Sequence, residues 1–244
     1  MIKVVKTVAG VGSLFWNGAY HEGYLDVVIP AQVDVLVLVA QSNVAMVKAT
    51  VGPRKMRQFF QLGTGNISGL AFYELLNPPA GLRRISVWQT PGYVAVLAIV
   101  MLRGVDKERL RRSGAVVGGS SNGQFAVFAP SEQGALVIGG ISIDTTNVPT
   151  QYPNNTALYS GVGYQSTSVF GAAYRRATGT STLLGWSGLQ TFNRIAAVAY
   201  RAARVSRMAI APRIGTALAQ SLVSSDGARA RATISGATLR LRLG

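Results

Sequence analysis

The feature that most constrains this chain is its rhythm: short runs of β-favouring residues are broken by turn residues about every ten positions along most of its length. The runs include Asp34–Ala40, Ile85–Gln89, Val94–Leu102, Ala135–Ile143, Thr182–Trp186 and Arg194–Tyr200. Between them fall Val11-Gly12-Ser13, Asn17-Gly18, Val51-Gly52-Pro53 and Asn77-Pro78-Pro79-Ala80-Gly81, where proline removes a backbone donor and glycine frees the turn. Twenty-eight glycines and few runs of Glu or Lys favour short strands over long surface helices, and with this spacing they predict an all-β fold, an antiparallel β-sandwich or jelly roll. Asp34–Ala40 is apolar almost throughout, as in a strand at the centre of a sandwich. With 48% hydrophobic residues and no cysteine, the 244-residue chain has ample material for a core, which packing alone must hold.

The same reading expects a hairpin turn at Gly63–Gly69, an exposed loop or helical turn at Lys107–Arg112, a small-residue connection at Gly114–Asn122 and a surface loop at Thr145–Asn155. It divides the chain into N-terminal strands or an arm at 1–26, a sandwich at 27–203 and a basic C-terminal extension at 204–244. In that extension Thr216–Leu222 is expected as a short helix and Ala228–Leu243 as a hairpin about Ser235-Gly236. Met1–Ile29 does not read as a signal peptide, because Asn17, His21, Glu22 and Asp26 break its apolar run. Tyr93–Leu102 is about half the length of a membrane-spanning helix, so no membrane insertion is expected.

The net charge of +15 calls for an anionic partner. Seven arginines against one aspartate lie beyond residue 203, and they end in Thr238-Leu239-Arg240-Leu241-Arg242-Leu243. Alternate side chains of a strand face opposite ways, so this segment presents a leucine ridge and an arginine ridge. It is expected to dock: Arg229, Arg231, Arg240 and Arg242 to carboxylates, and Leu239, Leu241 and Leu243 into a groove or beside a strand.

Reaction chemistry is sparse. His21, the only histidine, stands beside Glu22 and is expected to be a turn-exposed polar pair. The nine acidic residues are scattered without metal-ligand spacing, so no metal, cofactor or catalytic set is expected. Gly63–Gly69 lacks the lysine and strand-to-helix setting of a phosphate loop. Tyr152, Asn154 and Asn155 mark a loop that could contact a glycan, and Trp16, Tyr20, Tyr24 and Tyr159 are further aromatics able to stack on a ring.

Several segments, taken in order, resemble a β-sandwich module of tailed-bacteriophage virion proteins and some bacterial surface proteins. They are Asp34–Ala40, Tyr73–Gly81 with its Leu-x-Asn-Pro-Pro-Ala-Gly ending, Gly104-Val105-Asp106, Ala129–Ile138, Gly171–Trp186 and Ala197–Ala203. The resemblance spans about residues 27 to 203 and implies a jelly-roll-like fold in a particle of repeated subunits. It implies a non-enzymatic minor tail or tail-tip protein, with a capsid decoration protein or a receptor-binding module as alternatives. The expected partners are other virion proteins, further copies of the chain (a trimer by analogy with such assemblies) and a host cell-surface glycan; nucleic acid is not expected. The implied location is the virion, after synthesis in the host cytoplasm. The extra basic charge and the tail beyond Ala203 depart from the family pattern.

Overall fold

The structure is a computed structural model. It describes residues 1–16, 18–42, 44–63, 69–91, 95–107, 111–118, 124–143, 148, 150–162, 168–187, 193–203, 230–234 and 237–241. The chain divides into a compact unit, Met1–Ala203, and a second unit, Arg204–Gly244.

The first ten strands are β1 (Lys3–Val11), β2 (Ser13–Trp16), β3 (His21–Ile29), β4 (Val35–Ser42), β5 (Met46–Val51), β6 (Arg54–Lys55), β7 (Arg57–Leu62), β8 (Gly69–Leu76), β9 (Gly81–Gln89) and β10 (Val96–Arg103). They form an inner sheet ordered β1-β10-β4-β8-β7 and an outer sheet ordered β2-β3-β9-β5-β6. The next eight are β11 (Arg111–Gly118), β12 (Gln124–Pro130), β13 (Leu136–Ile143), β14 (Thr150–Gln151), β15 (Thr156–Val162), β16 (Val169–Arg176), β17 (Ser181–Ser187) and β18 (Asn193–Tyr200). They form an inner sheet ordered β11-β18-β13-β16-β15 and an outer sheet ordered β12-β17-β14. Every pairing is antiparallel. Among the described residues there is no helix.

The two strand orders are the same order written twice. Replacing β1, β10, β4, β8 and β7 by β11, β18, β13, β16 and β15 converts one inner sheet into the other, and β3-β9-β5 becomes β12-β17-β14 in the same way. The chain is thus an antiparallel β-sandwich protein in which a jelly-roll strand order occurs in tandem. Residues 1–26 supply β1, β2 and most of β3.

The sandwiches stack through their inner sheets. Strand β4 shows how: Leu36, Leu38 and Ala40 face the core shared with the first outer sheet, whereas Val35, Val37 and Val39 face the second sandwich. There they meet Leu136, Ile138, Phe170, Ala172, Val198 and Tyr200. A third core, with Val137, Ile141, Leu184, Trp186 and Ile195, joins the second inner and outer sheets. Four layers therefore enclose three cores, and both inner sheets are covered on both faces, which explains their near-continuous apolar runs. Each buried Val, Leu, Ile or Phe side chain contributes about 1.5–3 kcal/mol of burial energy, so the eighteen buried residues between the sandwiches bind them into one unit. Gly140 permits this approach: a Cβ on it would lie 2.7 Å from Val39 Cγ1 and 3.1 Å from Leu70 Cδ1.

The sandwiches also join at the ends of the equivalent strands β10 and β18. Val105 bridges Ala202 antiparallel, the Asp106 amide donates to the Arg201 carbonyl at 2.9 Å, and the Ala203 amide donates to the Gly104 carbonyl at 2.8 Å.

Three sequence expectations are corrected. Arg111–Gly118, expected as the end of a basic segment followed by a loose connection, is strand β11. Its glycines and arginines hide the alternation, and its pairing with β18 makes the strand. His21 and Glu22 lie inside β3, with Glu22 buried. The segment expected as a loop at Thr145–Asn155 includes the short strand β14, paired with β17. At Gly63–Gly69, β7 and β8 pair antiparallel, and residues 64–68 lie outside the described residues.

In the second unit, β19 (Ala230–Ile234) and β20 (Ala237–Leu241) form an antiparallel pair in which Arg231 faces Arg240 and Ala232 faces Leu239 across the ladder. This is the expected hairpin, while the expected helix at Thr216–Leu222 lies outside the described residues.

Candidate functional site: a basic groove and the exposed faces around it

The motif residues of the first sandwich converge on Asp34. Its carboxylate accepts the Gly104 amide at 2.5 Å and the Val105 amide at 3.4 Å, and the Lys107 ammonium lies 2.9 Å from its other oxygen. The Asp34 backbone donates to the Leu102 carbonyl and accepts the Asn77 amide, both at 2.8 Å. Lys107 also donates to the Asn77 side-chain oxygen at 2.6 Å, and Arg54 donates to the Asn77 carbonyl at 2.6 Å. Asp34 thus ties the start of β4 to the 77–80 crossover between the sheets through its backbone carbonyl, and to the chain leaving β10 through its carboxylate. Burial alone would raise the Asp34 pKa; the Lys107 ammonium and the Gly104 and Val105 amides outweigh it and hold the carboxyl below the usual value. Gly104 is required at its place, since φ is +77° and a Cβ there would lie 2.8 Å from the Met1 carbonyl oxygen. The knot is architectural: its bonds join the start of one strand to the ends of others.

The outward face of the first outer sheet is equally self-contained. Arg84 forms two hydrogen bonds to the Asp26 carboxylate, at 3.1 and 3.3 Å, and its guanidinium lies 3.8 Å over the Tyr24 ring. Ser86 donates to Glu22 at 2.5 Å, and Lys48 lies 4.5 Å over the Trp88 ring. The Trp16 and His21 rings meet edge to face at 5.6 Å. Glu22 is therefore held in a serine hydrogen bond on a sheet face. At the sheet edge, strand β2 exposes Leu14, Phe15 and Trp16, and Tyr20 follows.

A different surface opens between the sandwiches. A groove of about 890 Å³ separates β1 from the end of β16 and the turn before β15. Its charged wall is Lys3, Arg175 and Arg176; Asn154, Thr156 and Thr178 supply neutral polar groups, and Tyr174 supplies a half-buried ring. Among the described residues, no acidic one lines it. Arg176 donates to the Ile2 carbonyl at 2.7 Å, and Arg175 lies 3.5 Å from the Leu183 carbonyl.

Of the loop residues singled out from sequence, Asn154 reaches this groove, whereas Tyr152 and Asn155 build the turn that carries it. The Asn155 amide donates to the Tyr152 carbonyl at 3.3 Å; Pro153 precedes Asn154, whose φ is +70°. Proline followed by a left-handed residue is a type II turn. The Tyr152 amide and the Asn155 side-chain amide both donate to the Gly185 carbonyl, at 2.9 and 3.3 Å, which fastens the turn to β17. Of the tail residues expected from sequence to dock, Arg231, Leu239, Arg240 and Leu241 occupy ladder positions of β19 and β20. Arg229, Arg242 and Leu243 lie outside the described residues. Lys3 and the Arg175–Arg176 pair lie far apart in sequence; their adjacency arises only when the two sandwiches stack.

Among the described residues no group of three or more His, Cys, Asp or Glu side chains could hold a metal ion. No family model matches the chain, and no curated protein matches it. Among solved structures it is similar to the crystal structure of GK1651 from Geobacillus kaustophilus, at 13% identity and a TM-score of 0.25, over 81% of this chain and 96% of that one.

Proposed function

We propose that this chain is a non-enzymatic structural component of a tailed-phage virion, a minor tail or tail-tip protein that docks to its neighbours through the basic C-terminal arm. The observation that carries the reading is the Asp34 knot: the residues responsible for the sequence resemblance hold strands together, leaving cations and aromatics to face outward. A protein whose surface offers Leu14, Phe15, Trp16 and a large excess of positive charge suits attachment to an acidic lattice better than turnover of a substrate.

Cross-linking of purified particles through Lys3, Lys6, Lys48, Lys55 and Lys107 tests the assignment. Links to tail-tube or baseplate proteins are the expected result. Links to the major capsid protein would move the chain to the head as a decoration protein, and absence from particles would overturn the reading. Deleting residues 228–244 is expected to leave a folded protein that no longer joins particles; normal incorporation would remove the arm from the mechanism. The second reading, a receptor-binding module, is favoured by the placement of Asn154 in the groove.

A further inference from the structure

The carboxylates of the first unit are largely spent. Glu22 is taken by Ser86, Asp26 by Arg84, Asp34 by Lys107, Glu74 by Arg57 and Tyr200, and Glu132 by Arg201. None reaches the groove between the sandwiches, where Lys3, Arg175 and Arg176 stand together. The two guanidiniums are positioned by carbonyl oxygens, of Leu183 and Ile2. A carbonyl orients a guanidinium without neutralising it, so the groove keeps its positive potential. Such a wall attracts an anion.

The rest of the lining narrows the class. The side chains of Asn154, Thr156 and Thr178 make no hydrogen bond to a described residue and line the groove beside the cations. An amide and two hydroxyls pair with hydroxyl-rich ligands, and the half-buried Tyr174 ring offers a flat apolar surface of the kind a sugar ring can cover. The volume, about 890 Å³, lies within the range of ligand sites, which run from roughly 300 to 1,000 Å³, and suits a short oligomer. Cations, neutral hydrogen-bonding groups and an aromatic face together match a carbohydrate bearing negative charge better than an acidic peptide, which would leave the neutral groups unused.

We infer that the groove between the two sandwiches binds an acidic oligosaccharide, with Lys3, Arg175 and Arg176 holding its carboxylate or phosphodiester groups and Asn154, Thr156 and Thr178 its hydroxyls. This deepens the receptor-binding reading and is independent of where the chain sits in a particle.

Titration calorimetry on the full chain at physiological salt tests it, with two acidic probes, oligogalacturonate and a glycerol-phosphate oligomer, and neutral maltohexaose as reference. Saturable binding of one acidic probe and at least tenfold weaker binding of the neutral one, about 1.4 kcal/mol, are expected; the acidic probe that binds distinguishes carboxylate from phosphodiester. The double variant Lys3→Gln/Arg175→Gln should lose about tenfold or more in affinity. Lys55→Gln/Arg83→Gln, equal in charge but outside the groove, should stay within about twofold. Asn154→Gly keeps the left-handed turn and should weaken binding with an unchanged melting temperature. The inference is overturned by failure of both acidic probes to bind, by equal losses in the two double variants, or by displacement of the bound probe by polyglutamate at equal concentration. None of these outcomes bears on the cross-linking test of virion assembly.

Discussion

Replacing Asp34 with alanine removes one carboxylate from three connections. A hydrogen bond to a charged acceptor contributes about 1.5–3 kcal/mol. The 2.5 Å bond from Gly104 takes that value, and the 3.4 Å contact from Val105 adds little. Lys107 is two-fifths exposed, so its pair adds no more than about 1 kcal/mol. The expected loss is about 2–4 kcal/mol at neutral pH, or roughly 4–16 °C in melting temperature for a unit of this size. Lys107→Ala should cost about 1 kcal/mol or less. The pH dependence has a definite sign. The folded Asp34 carboxyl titrates below its ordinary value of 3.8, so its contribution is complete above that value and is lost as pH falls through the lower folded one. In urea titrations, the gap between wild type and Asp34→Ala should be constant from neutral pH down to about 4 and should narrow below it. A gap under about 0.5 kcal/mol at neutral pH, or one that persists undiminished in acid, would refute the account of the knot.

Gly140→Ala should cost about 1–3 kcal/mol in the same titrations, because its Cβ would enter the space of Val39, whose branched side chain turns stiffly. Gly179→Ala is the control, with nothing within 4 Å of the added carbon; a Gly140→Ala protein as stable as that control would mean that the sandwiches separate more easily than their packing implies. Tyr73 is fully buried with no partner for its hydroxyl among the described residues, and burial pushes its pKa well above the ordinary phenol value. Tyr73→Phe should therefore be neutral or stabilising, by up to about 1–3 kcal/mol, and a clear loss of stability would show that the hydroxyl is hydrogen-bonded after all.

The β class and most strand positions were legible because they rest on local signals. Asp34–Ala40 announces a central apolar strand, and Asn77–Gly81 announces a turn. The repeat was not legible, because β1 and β11 share a place in the fold but little sequence: Arg111–Gly118 has neither the apolar alternation of a strand nor a resemblance to Lys3–Val11. A strand of this kind is specified by its neighbour, and pairing with β18 cannot be read from eight residues. The groove was hidden for a related reason. Lys3 and Arg176 are far apart in sequence and meet only through the stacking of two sheets, whereas Asn154, singled out by its loop composition, was visible from the start.

The seam between the ends of β10 and β18 joins equivalent strands antiparallel, as the two halves of a symmetric dimer would be joined. Here both halves belong to one chain, and that frees them from identity. In a true dimer every substitution appears twice, so a residue that suits one side of the contact must also suit the other. The ladder position opposite Val37 in β4 and opposite its counterpart Ile138 in β13 shows what the covalent version permits. In the first half it is Glu74, buried and bonded to the Tyr200 hydroxyl of the second; in the second half it is Tyr174, on the wall of the groove. One position became a clasp and its twin a surface, a division of labour closed to two identical subunits.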